Sequence, residues 1–413
     1  MTTVSPPRRR PAWLLGPALV AGVAYLDPGN VATNMSAGAQ FGYLLVWVVV
    51  LGNAMAWLIQ YLSAKLGVVT GQSLAETLGR RIRSPWGRRL FWLQAELVAM
   101  ATDVAEVIGG AVALWLLFDV PLVAGGIITG AVSMGLLWIQ TRGGVRPFEF
   151  VIIALMAIIT IGFTAGVIVG PPDVESAVAG LVPRFEGSGS VLLAASILGA
   201  TVMPHAIYAH SALVRDRFAP DVEPDAAGPG RIPRLLRATR WDVTIALVVA
   251  GAVNLAILLL GAANLPGVPG TDSLEGAHAA LEASLGGIIA TVFAVGLLAS
   301  GLASTSVGAY AGSEIMRGML RVQIPMIVRR IVTIIPALAV LAIGVDPTQA
   351  LILSQVVLSF GIPFALVPLV ALTAQKRTLG SHRNRWWTTA VGIASSAFLI
   401  ALNAVLLWLT FTG

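Results

Sequence analysis

Apolar residues run along this chain in blocks of about twenty, and polar residues collect between the blocks. A helix needs roughly 20 mostly apolar residues to cross a bilayer. Eleven such blocks stand at 12–39, 43–66, 90–118, 121–140, 148–170, 190–214, 242–263, 285–312, 324–344, 348–373 and 386–411. They predict eleven transmembrane helices and an all-α polytopic membrane protein. A transmembrane barrel would need short segments of alternating polarity, whereas these blocks are continuous. Arg8, Arg9 and Arg10 precede the first block. No convincing cleavage site follows them, so the block reads as a span and not as a removable signal.

Two blocks are interrupted. The first carries Asp27-Pro28-Gly29-Asn30, a turn sequence at membrane depth. The sixth carries Ala200-Thr201-Val202-Met203-Pro204-His205. A proline cannot donate to the carbonyl four residues back, and it pushes its predecessor off the helix. Pro204 therefore frees the Ala200 carbonyl, and Pro28 frees that of Ala24. Bare carbonyls in the hydrocarbon region are tolerated only where they line a cavity or lie inside protein. Paired interruptions in two halves point to a transporter's central site. Five spans separate the breaks, so the two segments cross in opposite directions. That predicts a five-plus-five inverted repeat within one domain spanning 1–413. Residues 1–170 form the first repeat, 190–373 the second, and 386–411 an added helix. Two ordinary proline kinks are the plainer alternative. Polar residues beside both breaks favour a site.

The charges orient the bundle. Of 26 Lys and Arg residues, 23 fall on one side if the N-terminus is cytoplasmic: three before span one, six within 65–89, two at 142 and 146, six within 215–240, two at 317 and 321, and four within 376–385. The other side holds only Arg184, while Arg329 and Arg330 lie inside span nine. The bias predicts N-in and C-out. It also accounts for the net charge of +6 without nucleic acid. Charged residues make up only 11% of the chain, against about 25% in soluble domains. No cysteine is present, which excludes disulfides, thiolate metal sites and Cys nucleophiles. Residues 215–241, rich in Pro and Gly, read as a flexible linker between the halves.

Asp27 is an ionisable residue in mid-span, which by default marks function. Asn30 adds a neutral oxygen, Ala200 a carbonyl and Met203 a thioether. One charge, neutral oxygens and a soft sulfur suit a divalent first-row metal. Ca²⁺ and Mg²⁺ prefer oxygen alone, and sulfur favours Mn²⁺, Fe²⁺, Co²⁺ or Cd²⁺. A lone Met is ordinarily core packing; beside the break, with Asp27 in the other half, Met203 becomes a candidate ligand.

Asp27-Pro28-Gly29-Asn30 and Met203-Pro204-His205 resemble the hallmarks of the natural resistance-associated macrophage protein (NRAMP) family of metal transporters. Supporting stretches are 60–67 (QYLSAKLG), 101–106 (ATDVAE) and 354–359 (SQVVLS). The resemblance covers spans one to ten. It implies a leucine-transporter-type fold and proton-coupled import of Mn²⁺ or Fe²⁺ by a monomer. It further implies Asp27, Asn30, Met203 and the Ala200 carbonyl as ligands, with Gln355 contributing when the site closes. Two positions depart from many relatives: Leu302, where a Gln is common, and Gly361, where some are polar. These bear on selectivity and gating, not on class.

Span three carries Glu96, Asp103 and Glu106 near one helical face, and span nine supplies Arg329 and Arg330. Pairing them is the economical way to bury both sets. Chemistry alone leaves a proton relay toward the cytoplasm and a static salt bridge evenly matched; the resemblance implies the relay. Metal arrival would then expel a proton from Asp27 to this group. His205 and His210 are either proton-linked or structural, and His205 is not read as a ligand. Asn53 and Gln60 on span two suggest an outer approach, His278 and His382 fall in expected loops, and Trp386 and Trp387 suit an interfacial belt.

A carrier of Mg²⁺ or of a small organic substrate on the same fold is the alternative. No nucleophile–base pair, H-E-x-x-H or Walker motif is present, so neither an enzyme nor an ATP-driven pump is expected. No cofactor is expected; the partners are the metal ion as substrate, protons and the lipid bilayer. The absence of a targeting signal and the chain's compactness suggest a bacterial inner (cell) membrane.

Overall fold

The computed structural model describes residues 16–143, 145–218, 231–322 and 324–412. These form helices joined by short connections, with no strand among the described residues. Each predicted span falls on a helix or on a pair of helices. Span one is α1 (Pro17–Gly22), a 3-10 turn (Val23–Leu26) and α2 (Pro28–Phe41). Spans two to five are α3 (Val46–Thr70), then, after a short α4 (Leu74–Arg81), α5 (Pro85–Phe118), α6 (Leu122–Gly143) and α7 (Val145–Val169). A small α8 (Val174–Ala179) leads to span six, which is α9 (Gly187–Thr201) and α10 (Pro204–Phe218). Then come α11 (Arg231–Asn264), α12 (Leu274–Leu285), α13 (Gly287–Leu320), α14 (Met326–Ala342), α15 (Pro347–Ala374), the four-residue α16 (Lys376–Leu379) and α17 (Trp386–Thr412). Eight segments among the described residues are long and apolar enough to cross a membrane, with α9 and α10 taken together. Pro17–Leu26 and Leu122–Trp138 are shorter apolar helices.

Both breaks are present, and the first is built as a helix start. Asp27 is extended (φ −71°, ψ 164°) and caps α2, its carboxylate accepting from the Asn30 amide at 2.8 Å. Pro28 follows at N1, where a missing N–H costs nothing. In span six, Val202 leaves the helix (φ −111°, ψ 54°), and Pro204 begins the next one.

The packing partners come in exchanged pairs. The second half of span one lies on α11, and span six lies on α3; α5 packs on α15, and α13 on α7. Helices α5 and α13, each 34 residues long, lie against each other. Close approach needs small residues. A Cβ on Gly199 of α9 would stand 2.0 Å from the Gln355 carbonyl oxygen on α15. A Cβ on Gly361 would stand 2.5 Å from Val98 and 3.3 Å from Pro204, which leaves that departure from the relatives no room for a polar side chain.

Three expectations change. The linker expected at 215–241 is shorter, because α10 runs to Phe218 and α11 begins at Arg231; the rest lies outside the described residues. Helices α4, α8 and α12 were not expected; each begins with a side-chain cap, from Ser73, Asp173 and Ser273. His278 consequently sits on α12, and His382 in a 3-10 turn, Gly380–His382. Trp386 and Trp387 are exposed at the start of α17, as an interfacial belt requires.

Replacing Gly199 by Val forces α9 from α15, an overpacking cost of about 1–3 kcal/mol. The purified variant should melt below the wild type by dye-binding thermal scan; an equal melting temperature would contradict the close contact.

Candidate functional site

The two breaks meet. The Asn30 side-chain amide donates to Asp27 Oδ1 and to the Ala200 carbonyl, both at 2.9 Å. From span ten, Gln355 Nε2 donates to Asp27 Oδ2 at 3.1 Å and contacts Ser354 Oγ at 3.2 Å. Gly29 makes room, since a Cβ there would lie 1.7 Å from Gln355 Nε2. Asp27, Asn30, Ala200 and Gln355 therefore converge from spans one, six and ten. All are fully buried, as is Met203 in the break of span six. The Ala200 carbonyl, expected to be bare, is occupied by Asn30, whose amide reaches across between the two halves.

The neighbouring carbonyls are also satisfied by side chains that the sequence reading passed over. Asn254 of α11 donates to the Tyr25 carbonyl at 2.9 Å, and Ser300 of α13 donates to that of Leu26. Asn254 had a signal, as a lone amide between the apolar runs 248–253 and 255–260, whereas Ser300 stands among Ser304, Thr305 and Ser306 and nothing along the chain singles it out. What remains unsatisfied is informative. Asn30 Oδ1 and Gln355 Oε1 are buried without a hydrogen-bond partner. The two amides aim nitrogens at the carboxylate and leave oxygens idle. Turned over, they would offer a cation two neutral oxygens beside one carboxylate, a carbonyl and a thioether.

A second polar group runs along α5. Arg329 of α14 clasps Glu96 (2.8 and 2.9 Å) and approaches Asp103 at 3.7 Å. Arg330 meets Asp103 at 2.6 Å, Glu106 at 3.3 Å, Ser133 at 3.0 Å and Thr305 at 3.2 Å. Glu96, Asp103 and Glu106 thus share one face, turned to α14. Gly109, just beyond Glu106, abuts Pro28, so the row begins beside the break. From Glu106 to Glu96 it spans about 15 Å along the helix. His205 joins it through Thr102, its Nδ1 lying 3.2 Å from that hydroxyl.

His210 is elsewhere. Its Nδ1 lies 2.7 Å from Gln60 Oε1, and Gln60 donates to the Tyr25 hydroxyl. Gln60 is therefore buried against the first half of span one and does not line an outer approach. A further cluster, not anticipated, ties α4 and α13 to the end of α10. Arg215 meets Glu76 at 2.8 Å and Glu314 at 3.1 Å, and Arg317 meets Glu314 at 2.7 Å. Burial raises the Glu76 carboxyl, but the Ser73 amide and the two arginines outweigh it and hold the group below the usual carboxylate range.

Three comparisons bear on this arrangement. The family model described as natural resistance-associated macrophage protein-like matches residues 18–409. The divalent metal cation transporter MntH of Mycobacterium tuberculosis is 59% identical over 401 residues, covering 97% of this chain and 92% of that protein. The crystal structure of the Eremococcus coleocola manganese transporter superposes with a TM-score of 0.85 at 31% identity, covering 98% of this chain and 88% of that one. MhsT, solved with L-phenylalanine, shares the fold at a TM-score of 0.63 and 13% identity, covering 96% and 97%.

Substituting Arg330 by Ala leaves Asp103 and Glu106 buried without their cation, a loss of about 3–5 kcal/mol. The variant should melt well below the wild type, and adding Asp103→Asn should recover part of the loss. An unchanged melting point would remove the pairing from the stability of the bundle.

Proposed function

The chain belongs to the natural resistance-associated macrophage protein-like family, and from that premise we propose that it carries divalent transition-metal ions, Mn²⁺ first and also Fe²⁺, Co²⁺ and Cd²⁺, together with protons. The relatives are transporters, and no enzymatic activity is proposed. The site is the meeting of the two breaks, with Asp27, Asn30, the Ala200 carbonyl, Met203 and Gln355 as ligands. The observation that carries this reading is the buried Asp27 carboxylate, flanked by two amides whose oxygens have no partner. A single carboxylate binds weakly enough to release its cargo. The Met203 thioether disfavours Ca²⁺ and Mg²⁺.

The coupling proton travels along α5. Three carboxylates face two guanidiniums there, so one negative charge is left over, and Glu96 Oε2 and Glu106 Oε1 lack any hydrogen-bond donor. A proton displaced from Asp27 by the metal has its first acceptor one turn beyond the Pro28–Gly109 contact, at Glu106. It then passes by Asp103 to Glu96, while the arginines hold the carboxylates in line. His205 borders this route; His210 acts through Gln60 and Tyr25 on the first half of span one.

The topology proposed is eleven crossings, N-in and C-out, in a bacterial cell membrane, as a monomer. The exchanged packing pairs support two inverted five-span repeats, 1–170 and 190–373, with 386–411 added. Rocking one pair of half-helices against the other exposes the site to each side in turn.

Mn²⁺ uptake into proteoliposomes that enclose a pH dye tests the reading. Saturable uptake with internal acidification, little affected by Ca²⁺ or Mg²⁺, is the expected result. Uptake without acidification would reduce the α5 carboxylates to structural partners. Asp27→Asn should abolish Mn²⁺ uptake while leaving the protein folded; uptake at the wild-type rate would sink the site. Met203→Ala should weaken discrimination against Ca²⁺ on the order of tenfold, the equivalent of about 1.4 kcal/mol. Unaltered discrimination would favour a magnesium or organic-substrate carrier.

A further inference from the structure

The buried arginines of this fold are paired with carboxylates, at Arg215, Arg329 and Arg330. One surface departs from that habit. Around the junction of α4 and α5 stand Arg80, Arg81, Arg83, Arg88 and Arg89, with no acidic residue between 77 and 95. Between α15 and α17 stand Lys376, Arg377, Arg383 and Arg385, with no acidic residue from 347 to 413. The two segments are far apart in sequence and form one surface. Arg81 donates to Gln375 Oε1 and to Thr378 Oγ1, each at 2.6 Å. Beneath them, Lys65 donates to Asn384 Oδ1 at 2.9 Å. Both cations meet neutral acceptors. Among the described residues, none of these nine surface cations forms an ion pair. All but Arg88 are exposed.

Exposed aromatic and aliphatic side chains edge the same surface. Trp86 is 70% exposed, with the Arg89 guanidinium 5.1 Å from its ring centroid, and Leu90 is 65% exposed. Trp386 is 82% exposed at the start of α17. Cations bordered by tryptophans, with apolar helix below, match the layering of a bilayer boundary: phosphates, then glycerol, then acyl chains.

We propose that this surface binds anionic phospholipid headgroups, their phosphodiesters accepting from the unpaired arginines and their acyl chains lying along Trp86, Leu90 and Trp386. The proposal rests on the membrane topology given above. It has a consequence for transport, because α4 also caps the second half of span six. Leu74 N donates to Ser211 Oγ of α10 at 2.9 Å, Glu76 pairs with Arg215, and Gly79 abuts the Gly318 carbonyl of α13. A headgroup on Arg80 and Arg83 steadies the helix that holds α10 in place.

The test uses the full chain in nanodiscs of phosphatidylcholine, with or without phosphatidylglycerol. Retained lipid is read by native mass spectrometry and stability by melting temperature. The wild type should retain phosphatidylglycerol in preference and melt higher in its presence. The quadruple variant R83Q/R89Q/K376Q/R377Q should lose that preference on the order of tenfold or more, with an unchanged melting point in pure phosphatidylcholine. The charge-keeping variant R83K/R89K/R377K, with Lys376 untouched, should keep most of it. Equal retention of the two lipids by the wild type, or an undiminished preference in the quadruple variant, would overturn the proposal. So would an equal rise in melting temperature with soluble glycerol phosphate, which would make the ligand a free phosphate. Mn²⁺ uptake measured in parallel separates the two readings: no uptake with the lipid preference intact counts against transport alone.

Discussion

Inside a bilayer a backbone carbonyl or amide finds no water, and each one left unsatisfied costs several kcal/mol. This fold interrupts two of its most buried helices at that depth, and much of the central architecture follows from having to satisfy the result. Asp27 caps the helix that restarts after it; Asn254 and Ser300 take up the Tyr25 and Leu26 carbonyls, and Asn30 takes up that of Ala200. These bonds run from α11, α13 and α2 into the breaks, so the helices around the centre are fixed by the irregularity they surround. The small residues that let α9 approach α15, and α2 approach α11, serve the same end.

The second buried polar group follows another rule. Charges removed from water have to be matched by charges, and α5 and α14 bring three carboxylates to two guanidiniums, with Ser133 and Thr305 occupying remaining arginine donors. Its contact with the first break is steric, through Pro28 against Gly109. A movement of span one is therefore felt by the helix that carries the carboxylates. On the proposed reading, the ion site and the carboxylate row are linked by this contact as well as by the proton that Asp27 gives up.

Much of this was legible in the residues. Asp27-Pro28-Gly29-Asn30 states a helix start in three consecutive preferences: a capping carboxylate, a proline at N1 and an amide at N3. The spacing of Glu96, Asp103 and Glu106 states a single face, and Arg329 with Arg330 states its partner. Satisfaction across helices was not legible. That Asn254 rather than a neighbour would reach Tyr25 depends on how two helices lie against each other, which periodicity along one chain does not encode. The same holds for Gln60, whose side chain turns to Tyr25 and His210, and for Arg215, whose partners come from α4 and α13. Helices α4, α8 and α12, of eight, six and twelve residues, are too short to stand out as twenty-residue apolar blocks, although Ser73, Asp173 and Ser273 announce each one.

The amides at the break have a consequence for the half of the cycle that carries nothing. A carrier that has delivered its ion must still reorient, and a naked carboxylate in its centre would make that return step slow. Here Asn30 and Gln355 hold their nitrogens against both oxygens of Asp27. Each has its oxygen on the same planar group, half a turn away. On the proposed reading, rotation about one side-chain bond would convert a donor to the carboxylate into an acceptor for the ion. With the nitrogens turned in, the carboxylate has its donors and the two amide oxygens go without. An arriving ion would take up those oxygens and its departure would return the donors to Asp27, so the return step would not start from a bare charge.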